Sequence, residues 1–80
     1  MPPEYSREEC VASVRACAEA IGRKPTSSAY GEWRINRKAR ARAAGEEVRL
    51  APVRRILALL APERGERDGW KIVLAKVFGA

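Results

Sequence analysis

Eighty residues with 16 Lys and Arg against 10 Asp and Glu, a net charge of +6, leave room for one small domain with a thin core. With no His, two Cys and a single aspartate, Asp68, the chain offers no catalytic set, no metal site and no cofactor site of a common kind. No apolar run approaches the ~20 residues of a membrane span, and Met1-Pro2-Pro3-Glu4 opens no signal peptide, so a soluble, cytoplasmic, non-enzymatic protein is expected.

Met1 to Tyr5, with two prolines, read as a short disordered lead, and residues 6–80 as a single helical domain. Ser6-Arg7-Glu8-Glu9 is a capping box, in which Ser6 caps the amide of Glu9 and the Glu9 side chain reaches back. Behind it Cys10, Val14, Cys17, Ala18 and Ile21 hold one helical face, and Gly22 suits the left-handed position that ends a helix. The first helix is predicted over 6–21.

Pro25 forbids its continuation. Thr26 is a natural N-cap for a second helix whose inner face holds Ala29, Tyr30 and Trp33. Beyond Trp33 the positions extending that stripe are Arg37 and Arg40, which a small core does not accept. The helix either stops near Asn36 or projects past the core. Arg and Ala are good helix formers, which favours a helix running to about Ala44 and ending at Gly45.

Glu46 to Ala51 read as a connector. Pro52 suits the first turn of a third helix, with Val53, Ile56, Leu57 and Leu60 facing in and Arg54 and Arg55 facing out; Ala61-Pro62 stops it. After a charged loop, Asp68 is expected to cap a fourth helix with the stripe Trp70, Val73, Leu74, Val77 and Phe78, closed by Gly79. The expected fold is all-α: four helices, the second long and basic.

The positive charge is segregated. Residues 23–55 hold ten basic residues and three acids, a net +7, while the rest hold six and seven, a net −1. Such a patch is the footprint of a polyanion binder. Arginine outnumbers lysine twelve to four, which suits bidentate contacts to phosphate and to guanine edges. The competing reading is a solvated domain from a GC-rich genome, since 26 of the 80 residues are Ala or Arg.

Single residues divide along the same line. Trp33 and Trp70 lie on apolar stripes and read as core; Tyr30 reads as core with its hydroxyl at the surface. Cys10 and Cys17 lie about 10 Å apart along one helix face, beyond disulfide reach, and read as buried free thiols. Arg23 and Lys24, just before a helix N-terminus, read equally as phosphate contacts and as solvated turn residues. Arg7, Arg15, Arg64, Arg67, Lys71 and Lys76 are mixed with acids and read as ordinary surface.

The stretch Gly22-Arg23-Lys24-Pro25-Thr26 followed by Tyr30, with Glu32-Trp33-Arg34, then Val53-Arg54-Arg55-Ile56 and Gly69-Trp70 with Leu74 and Gly79, resembles the repeat found beside HNH-type homing endonucleases. The resemblance implies a helix-turn-helix DNA-binding module whose second helix braces the third in the major groove. Here the Arg/Ala-rich stretch 35–49 is longer than that family's loop, and Leu59 to Asp68 intervenes before Gly-Trp. By the recognition-helix rule Arg54 and Arg55 then read bases. Arg23, Lys24, Arg34, Arg37, Lys38, Arg40, Arg42 and Arg49 contact phosphate, along the backbone or in a narrow minor groove.

The expected partner is double-stranded DNA, bound by a small nucleoid-associated regulator of phage or actinobacterial type, a repressor or recombination accessory factor. One reading helix gives limited specificity, so a homodimer or multi-site binding is expected. The alternative is a protein-interaction module that docks an acidic partner through its basic helix.

Overall fold

Ser6 starts the first helix as its sequence requires. Its side chain accepts from the Glu9 amide, and Glu9 accepts in return from the Ser6 amide, each at 3.1 Å. The computed structural model describes residues 5–79, except the side chains of Glu66 and Arg67. Over these residues the chain forms α1 (Arg7–Ile21), α2 (Ser27–Ala43), α3 (Val53–Leu60) and α4 (Glu66–Phe78) and no strand, an all-α domain. Of the expected disordered lead, residues 1–4 lie outside the described residues, and Tyr5 is half-buried against the core.

Gly22 ends α1 in the left-handed region at φ 75°, where an L side chain is strained. Thr26 caps α2, its hydroxyl accepting from the Ala29 amide. Each helix packs on the other three. The shared core holds Cys10, Val14 and Cys17 of α1, Tyr30 of α2, Ile56 and Leu60 of α3, and Trp70, Val73 and Val77 of α4. The molecule is only 18 Å through its thinnest dimension, less than two helix diameters, so no helix is buried all round. Tyr30 stacks at a tilt on both Trp33 and Trp70, and the Trp70 indole donates to the Pro25 carbonyl at 2.9 Å. Both tryptophans are therefore packing residues. No helix among the described residues is long and apolar enough to cross a membrane.

Several expectations are corrected. Asp68 does not cap α4; Gly65 stands at the N-cap, and Asp68 lies inside the first turn. The reason is Gly69. A Cβ there would meet Leu57 Cδ2 at 2.9 Å, so the backbone of Gly69 is pressed against α3. Its amide finds the Gly65 carbonyl at 2.7 Å, which draws residues 66–68 into the helix. Pro52 likewise stands at the N-cap of α3 rather than in its first turn.

The Tyr30 hydroxyl is not at the surface. Tyr30 is 0% exposed and donates to the Ala51 carbonyl, because the connector folds back over α2 and buries that carbonyl, which then needs a donor. The inner stripe of α2 passes through Ala41, 2% exposed, rather than Arg40, which is exposed. The far half of α2 is therefore not a free projection: Gly45 turns the chain at φ 72°, and the Glu46 amide donates to Ala41 O at 2.8 Å.

Arg7, Arg15 and Lys76 are exposed, but they are more than ordinary surface. They donate to Leu59 O, Val77 O and Leu60 O respectively. Those carbonyls belong to the last turns of α3 and α4, which lack partners within their own helices, and a cation there also meets the negative end of the dipole. Arg64 and Lys71 are exposed without such a contact; the side chain of Arg67 lies outside the described residues.

Candidate nucleic-acid interface

The start of α3 is set by a three-way anchor on Leu50 and Ala51. Arg34 Nε of α2 donates to Leu50 O at 2.9 Å, the Tyr30 hydroxyl donates to Ala51 O, and the Ala51 amide donates to Ser13 Oγ of α1 at 3.2 Å. Ser13 in turn donates to Glu9 O at 2.8 Å. Two helices thus grip the chain just before Pro52, and the first turn of α3 rises beside the middle of α2. Arg54 and Arg55 leave that turn exposed, their side chains without a hydrogen bond or ion pair to another described residue.

Ser13 was not singled out from the sequence. The only signal for it was its position three residues after Cys10 and one before Val14, inside the buried arc. A hydroxyl held there must find partners. Burial and the Ala51 bond raise the stakes for Tyr30 as well: desolvation, partly offset by Ser13 and Arg34, pushes its phenol up to about 12.

The ten cations of residues 23–55 split into two groups. Arg34 is half-buried and spent on Leu50. Arg49 pairs with Glu9 and lies 4.5 Å over the Tyr5 ring. That hydrogen bond holds the Glu9 carboxyl below its ordinary range and raises the Arg49 guanidinium. Lys24 sits 5.6 Å over the Phe78 ring.

The others, Arg23, Arg37, Lys38, Arg40, Arg42, Arg54 and Arg55, make no side-chain hydrogen bond or ion pair among the described residues. Arg37 and Lys38 are half-buried, with the rest exposed. Their helix positions fan them around α2: Arg37 and Arg40 lie on one flank, Lys38 and Arg42 on the other. On the second flank the returning connector brings Glu46 and Glu47 to a groove of about 500 Å³ shared with Lys38 and Arg42. The sequence segregation of charge is thus partly undone in space on that side, and the Arg37–Arg40 flank is the more strongly positive.

Cys10 and Cys17 are both buried free thiols, pushed up in pKa by burial, which leaves them unreactive. No group of three or more His, Cys, Asp or Glu side chains converges on a metal-sized site among the described residues. The chain matches no family model, no curated protein and no solved structure.

Proposed function

We propose that this chain binds double-stranded DNA as a small non-enzymatic regulator, a repressor or recombination accessory factor. The observation that carries the reading is the set of cations on α2 and the first turn of α3 whose side chains make no hydrogen bond or ion pair among the described residues. In this reading Arg37, Lys38, Arg40 and Arg42 neutralise phosphates, with Arg23 on the α1–α2 turn, while Arg54 and Arg55 reach base edges. Arg34, Lys24 and Arg49 contribute less, since each would give up a contact it already has. The resemblance to the HNH-associated repeat supports the same reading through Pro25, Thr26 and Trp70, which here set the packing of the α1–α2 turn.

One observation favours a second reading. Ile35 on α2 is 66% exposed, a large apolar side chain among cations, as a helix that docks an acidic protein partner would present. Titration of duplex DNA at several salt concentrations separates the two. The DNA reading expects log affinity to fall linearly with log salt, with the slope shallower by about 2 in the Arg37→Ala/Arg40→Ala variant. Absence of binding to any duplex at low salt would sink it.

A further inference from the structure

The exposed side of α1 bears two ridges at four-residue spacing, Arg7–Val11–Arg15–Glu19 and Glu8–Ala12–Ala16. Between them runs a groove of about 560 Å³. Every one of these residues is exposed except Val11, which is half-buried. The floor is apolar, and the small side chains of Ala12 and Ala16 let another backbone come close. This is the groove into which a ridge of a second helix packs.

The charges on the long ridge choose the second helix. Arg7 stands at one end and Glu19 at the other, twelve residues apart. Reversing an identical ridge sets Arg7 of one copy level with Glu19 of the other, and Val11 level with the aliphatic stem of Arg15. A two-fold axis makes each of these contacts twice, as an isologous interface requires. Two features lower the cost of forming it. Arg7 and Arg15 are already held at their heads, by Leu59 O at 3.3 Å and by Val77 O at 3.0 Å, so less side-chain freedom is lost on contact. The residues outside 23–55 carry a net −1, so the pairing does not press the two basic faces together.

We infer that α1 is a self-association surface, pairing antiparallel with α1 of a second copy. The inference is independent of what the basic face binds. One crossed pair of helices about 22 Å long buries less than a standard interface, so the dimer is weak and forms at high micromolar concentration.

Sedimentation equilibrium of the full chain across micromolar to millimolar concentrations tests it. The unaltered chain is expected to dimerise. Arg7→Glu and Glu19→Arg are each expected to weaken the dimer about tenfold, because each reversal creates two like-charge contacts. Mixing those two variants restores association, since each then presents the charge the other needs. Ile35→Glu, on α2, leaves the dimer unchanged. If Arg7→Glu fails to fold through loss of its bond to Leu59, Glu19→Arg, which breaks no internal contact, carries the test alone. A chain monomeric at millimolar concentration, reversals without effect, or a dimer lost through Ile35→Glu would each overturn the inference.

Discussion

The arginines of the α1–α4 side and those of the far half of α2 are chemically identical and are used in opposite ways. Arg7 and Arg15 lie across the ends of α3 and α4 and close carbonyls that those helices leave open. Arg37, Arg40 and Arg42 lie on a helix whose only buried residue in its last two turns is Ala41, and their side chains make no hydrogen bond or ion pair among the described residues. What separates the two groups is reach. A cation that reaches the C-terminal carbonyls of a neighbouring helix is captured by the fold, and those on the outer faces of α2, even Arg40 and Arg42 in its own last turn, stay outward. Arg34 marks the boundary, since one turn earlier on α2 it still meets Leu50 O.

The strongest way to break this contrast is to remove the core that both regions share. Ile56 is 0% exposed, and Ile56→Ala is expected to cost about 2–5 kcal/mol. Urea unfolding should show a single transition, because the connector ties α2 to α3; a separate early transition of α2 would show that its far half folds apart.

Next comes the junction. Tyr30→Phe leaves the Ala51 carbonyl buried without its donor and is expected to cost about 1–3 kcal/mol by urea unfolding. Alkaline pH reaches the same bond. The Tyr30 phenol ordinarily titrates near 10.0 and is raised to about 12 in the fold. Below pH 10 it is protonated both folded and unfolded, and its contribution is fully present. Between those two values the unfolded chain has lost the proton and the folded one has not, so stability falls as pH rises, by roughly 2–3 kcal/mol. Tyr30→Phe should flatten that fall. A residual slope of the same sign remains from Cys10 and Cys17, whose thiols are also raised.

Smaller effects sharpen the contrast from the other side. Arg37→Ala with Arg40→Ala is expected to change stability by no more than about 0.5 kcal/mol, while reducing the salt dependence of duplex binding. Arg54→Ala should relax base preference in selection from random duplexes more than it weakens bulk affinity. Equal loss on selected and random DNA would place Arg54 on phosphate instead. Last is Glu9, whose carboxyl Arg49 holds below its ordinary range. Its contribution is present above the ordinary carboxylate range and is lost as pH falls through the lowered value. Arg49→Ala should therefore make the acid limb of a pH–stability profile slightly shallower.

Much of the fold was legible because it rests on local rules. The capping box at Ser6, the left-handed Gly22, the Thr26 cap and the apolar stripes of α1, α3 and α4 are short-range patterns, and α2 reaching its end near Gly45 follows from Arg/Ala propensity alone. The candidate site was legible only as a list of cations. Which of them stay available depended on contacts between residues far apart in sequence, such as Arg49 with Glu9 and Lys24 with Phe78, and no local pattern contains those.

The amino-acid order by itself determined that the chain is helical, where α1 and α2 begin and end and where α3 and α4 end, and that its positive charge lies on residues 23–55. Tertiary structure alone decided that α4 starts before Asp68, because Gly69 must lie flat against Leu57. It alone decided that the Tyr30 hydroxyl is buried, because the returning connector brings Ala51 O over it. And it alone divided the cations into those that close helix ends and those that remain outward, because a carbonyl or carboxylate satisfies a guanidinium only where the packing brings it within reach.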